Sequence, residues 1–530
     1  MMAEMKVRTK KDSFTSGVLI LSLSAITVKI IGLVYKIPML RLLGSEGMGY
    51  FNSAYEVYAL FCAVSTTGLP VAMSVMISAR REKSARDIFK VSLVLFSLLG
   101  VVGCGSMIAF AKPFATFLGS DKAAFCIAAI SPTVLLICLS GAYRGYFQGK
   151  NKMAPTAVSQ IIEALGKLIL GLIFAFVAIN AGFTTEIVAA FAVLGLTLGT
   201  AVSLLYLAIT KKLTDGVFKE NLSDIKEKGI IRSLLRIAIP VTFSSSVVSI
   251  TRVFDMSLIL RRLQDIGVSS ERSFSLYGIY TTLALPLFAL APALISSVAL
   301  PLIPALSGAI ARGDEREQRL VFSDALKMTA LVAMPISLGL ILFSEPILQL
   351  LFSGETEAIA IAAPWLSILG LSVPLSCMIT VGNAVLQAYG RPVTPIFSML
   401  LGTALKLTVA YFLIGNRNVG LLGAPISTFL CDLIINAVNF YFICRAMPGM
   451  PRFSKTVLRP TLAAAVSVTI ARLVYGFLIL KLGESAIVTV SAILLAIGIY
   501  ALTVFLFGAL DRDDLSKLPI VGRFCGVKEN

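Results

Sequence analysis

Long apolar blocks separated by short polar links run the length of this chain. A helix of about 20 apolar residues crosses the roughly 30 Å of hydrocarbon in a bilayer. Fourteen such segments are predicted, the first at 14–40, the second at 47–79, the seventh at 233–260, the eighth at 273–311 and the last at 485–508. One stretch, SGAYRGYFQGKNKMAPTAVSQIIEALGK from Ser140 to Lys167, closes one block with an aromatic and basic corner and opens the next at Pro155. It returns in degraded form from Thr380 to Lys406: Gln148, Pro155, Ala164 and Lys167 are answered by Gln387, Pro395, Ala404 and Lys406, at separations of 239 or 240 residues. The chain therefore reads as two copies of one bundle. Corresponding helices enter from the same side, which predicts a pseudo-two-fold axis along the membrane normal and a path for cargo between the halves.

Composition agrees. A mean hydropathy of +0.90 and 57% hydrophobic residues exclude an ordinary soluble chain and predict an all-α polytopic membrane protein. The first apolar segment is too long for a signal peptide and lacks a small-residue cleavage site. The predicted organisation is an N-terminal six-helix lobe (1–210), a basic amphipathic cytoplasmic linker (211–232), a C-terminal six-helix lobe (233–446), two extra helices (447–510) and a cytoplasmic tail (511–530). Lys and Arg favour alternate links by about four to one, which puts both termini in the cytoplasm. The net charge of +17 follows from that bias and from anionic lipid on the inner leaflet, so no nucleic-acid partner is expected.

The absence of histidine removes every His-based catalytic or metal site. The eight cysteines show no metal-ligand spacing and read as free packing thiols, and no metal or other cofactor is expected. The one GK-type corner, Gly145 to Lys150, lacks the spacing and the following hydroxyl of a P-loop, which argues against an ATP-driven pump. No soluble domain or large loop could hold paired catalytic acids, so no enzyme is expected.

Charges inside the apolar segments carry the functional signal, because each costs ~2.5 to 3.5 kcal/mol at the bilayer centre unless it meets water or a partner. Lys29 and Lys36 stand seven apart on one face of the first segment, with Gly32 between them. With Arg41 and Arg252 they are predicted to line a cavity that attracts an anion. Glu163 and Lys167, four apart, form a candidate pair that neutralises itself, and Asp255 follows Arg252 by three. Gly68 and Pro70 in the second segment, and Pro286, Pro292, Pro301 and Pro304 in the eighth, are candidate hinges, since an interior proline removes a backbone hydrogen bond.

Three stretches, KIIGLVYKIPMLRLLGSEGMGYFNSAYEVY, STTGLPVAMS and AISPTVLLICLSGAYRGYFQGKNKMAPTAVSQIIEALGKL, resemble the polysaccharide-transporter branch of the multidrug, oligosaccharidyl-lipid and polysaccharide exporter superfamily. Within it the chain is similar to the stage V sporulation protein B group, relatives of the lipid II flippases. The resemblance spans the whole chain. It implies two six-helix lobes in an inverted V with two further helices, and transport of undecaprenyl-diphosphate-linked saccharides across the cytoplasmic membrane for cell-wall, spore-cortex or polysaccharide synthesis. It implies that Lys29, Lys36, Arg41 and Arg252 stand where the family binds the diphosphate, here partly as lysine, a point charge instead of a fork. It also implies a candidate monovalent-cation site at Asp255, Asn383, Gln387 and Thr403, with Gln387 where a second acid is expected. Coupling to a cation or to the membrane potential, a monomer, and cell-wall synthesis enzymes as partners complete the expectation. Two alternatives remain: a cation-coupled multidrug antiporter of the same superfamily, which would favour acidic and aromatic walls, and a non-transporting scaffold of spore-wall synthesis.

Overall fold

The computed structural model describes residues 2–63, 68–78, 82–215, 227–447, 449 and 454–509. Residues 216–226 of the predicted linker, the predicted tail 511–530 and Cys525 lie outside the described residues. Every regular element among the described residues is helical. Twelve helices there are long and apolar enough to cross a membrane. α1 (Met2–Ala63) carries the first two predicted segments as two helices that meet at a kink, and α8 (Glu227–Asp265) contains the seventh. The kink in α1 falls at Gly44, whose φ of 67° and ψ of 177° suit a residue without Cβ.

The chain divides into two compact units, residues 1–282 with 414–418, and residues 283–413 with 419–530. The first unit holds α1, α2 (Leu69–Ser78), α3 (Glu82–Ala109), α4 (Ala111–Phe117), α5 (Ala123–Gly149), α6 (Met153–Asn180), α7 (Thr185–Asp215), α8 and α9 (Ser270–Ile279). Without a hydrophobic driving force between helices in lipid, close packing relies on small residues. A Cβ on Gly166 of α6 would lie 2.4 Å from the Cα of Gly199 in α7, and one on Gly49 of α1 would lie 2.1 Å from the carbonyl oxygen of Phe274 in α9. These helices touch backbone to backbone.

A latch fixes the end of α8 to the segment after α4. Helix C-termini leave carbonyls short of intrahelical partners, and here Arg261 donates from Nε to the Phe117 carbonyl at 2.7 Å and from Nη2 at 3.1 Å to that of Thr116, which also accepts from the Gly119 N–H. Gln264 and Ser270 both donate to the Gly119 carbonyl, at 3.2 and 3.0 Å. Beside them the hydrogen bond to Glu271 holds the Lys122 ammonium above its ordinary pKa. That pair is exposed and adds little stability. The latch positions α8, and with it Arg252 and Asp255.

The second unit contains α10 (Leu285–Ala311), α11 (Glu315–Leu342), α12 (Ser344–Leu351), α13 (Thr356–Ala388), α14 (Val393–Ile414), α15 (Gly423–Ala446), α16 (Arg459–Leu482) and α17 (Ala486–Leu506). The final pair packs on α11 through Phe343, Val468, Ala471, Tyr475, Val488 and Ala492, and is tied by the Tyr500 hydroxyl to the Leu331 carbonyl at 2.8 Å. A π-turn over Tyr280–Ala284 leads into α10, and the division between units falls inside it.

The candidate hinges separate into two kinds. Pro292, Pro301 and Pro304 stand inside α10, where each deprives the helix of a hydrogen bond. Pro286 stands at the start of α10, directly after the π-turn whose Thr281 carbonyl accepts from Lys36, and Pro70 stands in the first turn of α2. Gly68 packs against α8: a Cβ there would meet the Thr242 hydroxyl at 2.0 Å and the Ala238 carbonyl at 2.6 Å.

The repeat is visible as a polar knot joining three helices in each unit. In the first, Arg144 of α5 donates to Ser159 of α6 at 3.0 Å and to Ser203 of α7 at 3.4 Å. In the second, Asn439 of α15 donates to Asn383 of α13 at 2.9 Å and accepts from Ser398 of α14 at 2.7 Å. Asn383, Ser398 and Asn439 follow Arg144, Ser159 and Ser203 by 239, 239 and 236 positions.

Candidate functional site

α6 places Gln160, Glu163 and Lys167 three and four positions apart, on one face. α1 turns Lys29, Gly32, Tyr35, Tyr55 and Tyr58 toward the same space. With Arg144 of α5 they enclose a cavity of about 630 Å³ whose lining residues all belong to the first unit. That volume lies within the ~300–1,000 Å³ of small-ligand pockets. Its walls set three tyrosines and four charged side chains among small and aliphatic residues, within a bundle whose outer surface is apolar.

Three kinds of charge meet there. Arg144 and Glu163 form a salt bridge at 2.7 Å, with side chains only 12% and 20% exposed. Glu163 therefore accepts a hydrogen bond from Arg144, twenty-three positions before Lys167, and stays within electrostatic reach of Lys167. Lys167 stands over three rings instead, its Nζ 5.0 Å from the centre of Tyr35, 5.3 Å from Phe51 and 4.7 Å from Tyr55. Ring faces are negative, so they hold an ammonium without cancelling its charge. Lys29 lines the cavity, and among the described residues neither Lys29 nor Lys167 has a carboxylate at salt-bridge distance.

The other predicted ligands are dispersed around this cavity. Lys36 does not line it: its Nζ donates to the Thr281 carbonyl at 2.6 Å, while Asn52 donates to the hydroxyls of Thr281 and Thr282 at 2.9 and 3.0 Å. Together they fasten α1 to the start of the π-turn. Arg252 lies near enough to Lys29 and Tyr55 to act on both electrostatically, though it is outside the lining. Arg41 is exposed and also outside it. Asp255, one turn beyond Arg252, acts on Tyr277 of α9.

The candidate cation ligands fall in different units: Asp255 in the first, Asn383, Gln387 and Thr403 in the second. Asn383 accepts from Asn439, and Gln387 is exposed. Among the described residues of the second unit the buried acid is Asp432 of α15, 8% exposed, which accepts from the Ser376 hydroxyl and lies within electrostatic reach of Lys406. No group of three or more His, Cys, Asp or Glu among the described residues could hold a metal ion.

Sequence reading missed Arg144 and Asp432. Arg144 lies in the aromatic and basic corner that closes an apolar block, which reads as a helix end. The signal that would have placed it is Glu163, an acid inside a membrane helix that needs a base of its own. Asp432 interrupts the apolar segment at 420–444 and carried the same warning.

The family profile described as Polysaccharide biosynthesis protein matches residues 14–310, and that described as MatE matches residues 270–412. The chain is 26% identical to Stage V sporulation protein B of Bacillus subtilis (strain 168), covering 97% of this chain and 99% of the relative. It is 24% identical to Lipid II flippase MurJ of the same organism, covering 95% and 97%. Among solved structures, Lipid II flippase MurJ in an inward closed conformation matches with a TM-score of 0.72 at 16% identity, covering 92% of this chain and 98% of that one. An inward-facing multidrug resistance MATE family transporter matches with a TM-score of 0.64 at 17% identity, covering 80% and 94%. An all-helical membrane fold shared with these transporters, and a profile that matches more than half the chain, place this protein in the polysaccharide biosynthesis protein family of the multidrug, oligosaccharidyl-lipid and polysaccharide exporter superfamily.

Proposed function

We propose that this flippase or exporter moves an undecaprenyl-diphosphate-linked saccharide across the cytoplasmic membrane, with both chain termini in the cytoplasm. The observation that carries the reading is the pair Lys29 and Lys167: two ammonium groups in a cavity surrounded by apolar helices, with no carboxylate bonded to either among the described residues. Such charge is costly in low dielectric and is offset when a polyanion docks. A diphosphate is compact enough for a cavity of this size, accepts charge-assisted hydrogen bonds from lysine, and leaves the polyprenyl tail in the bilayer. The names of two similar proteins, a lipid II flippase and a sporulation protein, support a wall or spore-wall glycan as the cargo.

An organic-cation antiporter is disfavoured by the same pair, which repels cationic cargo. The deciding measurement is binding of undecaprenyl-diphosphate lipids by the purified full-length protein. Lys29→Ala with Arg252→Ala is expected to weaken binding at least tenfold, about 1.4 kcal/mol, with Lys29→Arg retaining most of it. Undiminished binding by the double variant refutes the headgroup assignment, and binding of organic cations alone favours the antiporter.

A further inference from the structure

The polar knot of the second unit ties three helices with amides and a hydroxyl and carries no charge. Its counterpart in the first unit does the same mechanical task, yet uses an ion pair, Arg144 with Glu163. Fastening the helices therefore does not require the charges. Burial of an ion pair is a weak source of stability in any case, since desolvation opposes the Coulombic gain. What distinguishes the first knot is that it opens onto the cavity, with Arg144 and Glu163 both in its wall.

The pair is self-neutralised, so it offers an anion little, unlike Lys29 and Lys167. It does offer donors and acceptors side by side: the remaining N–H groups of the guanidinium, the lone pairs of the carboxylate, and the Gln160 amide one turn away. Tyr55 and Tyr58 supply aromatic faces on the opposing helix. A neutral, hydroxyl-rich ring is what this combination fits, since each sugar hydroxyl both donates and accepts and its C–H faces lie against aromatic rings. We infer that Arg144, Glu163 and Gln160, with the two tyrosines, form a saccharide subsite that holds the sugar of the cargo while Lys29 and Lys167 hold its phosphates. This rests on the proposed function above and adds where the sugar is read.

The test compares two probes on the purified full-length protein: undecaprenyl diphosphate and an undecaprenyl-diphosphate-linked disaccharide. The first variant, Arg144→Asn with Glu163→Gln, gives the first knot the uncharged composition that already joins helices in the second. The second, Gln160→Ala, alters the subsite without touching the knot. Both variants are expected to raise the Kd for the disaccharide lipid about tenfold while changing that for the sugar-free lipid less than twofold. Equal weakening of both lipids assigns the residues to the phosphates and overturns the inference; so does an unchanged preference for the sugar-bearing lipid in both variants. Should the double variant fail to fold, Gln160→Ala decides alone. If the wild-type protein binds neither lipid, the proposed function fails first, and the subsite with it.

Discussion

Tyr35 illustrates how single residues in the cavity wall serve geometry more than hydrogen bonding. Its ring is buried and supports Lys167, while its hydroxyl has no hydrogen-bond partner among the described residues. A buried polar group without a partner carries a desolvation penalty of about 1–3 kcal/mol. Tyr35→Phe keeps the ring beneath the ammonium and removes the penalty. Thermal unfolding in detergent is expected to show a stability unchanged or raised by up to about 1 kcal/mol; a clear loss would reveal a partner for the hydroxyl. The lysine itself was legible from sequence as a charge inside an apolar helix, but its aromatic cradle was not. Tyr35, Phe51 and Tyr55 lie more than a hundred positions from Lys167 and meet it only because α1 packs beside α6.

At the scale of elements, the contact between α6 and α7 governs whether the cavity exists. Gly166 and Gly199 let the two backbones approach so closely that a methyl group has no room. Gly166→Ala must push the helices apart or distort them, and overpacking of this kind costs about 1–3 kcal/mol. Thermal unfolding should fall accordingly, and lipid binding should weaken with it because Glu163 and Lys167 stand on the displaced helix. An unchanged unfolding temperature would show that the contact is soft. The apolar blocks announced these helices plainly. The link between the first and second predicted segments is short, and Gly44 at positive φ turns the corner where the two helices of α1 meet. α8 carries Arg252 and Asp255 within the seventh predicted segment.

For the molecule as a whole, the sign of the cargo sets the energetics. A diphosphate carries about two negative charges, and an inside-negative potential drives each one outward, releasing roughly 2.3 kcal/mol per 100 mV. Reconstituted protein should therefore move the diphosphate-linked lipid faster when the donor side is made negative, and slower when an ionophore collapses the potential. A rate insensitive to potential would place the coupling with a cation instead, and Asp432 with Lys406 would be the first residues to examine.

By itself the sequence determined the medium, the helical class and the two-fold use of one bundle, because each depends on local properties: the length of apolar runs, the expense of charge in hydrocarbon, and a motif recurring at a fixed separation. Tertiary structure alone decided which base each acid meets. Glu163 has Lys167 one turn away and Arg144 on another helix, and its hydrogen bond goes to Arg144, whose guanidinium the hydroxyls of Ser159 and Ser203 steady. Electrostatic pairing depends on distance in space, and in a bundle of helices joined by short links that distance is set by packing, not by position along the chain.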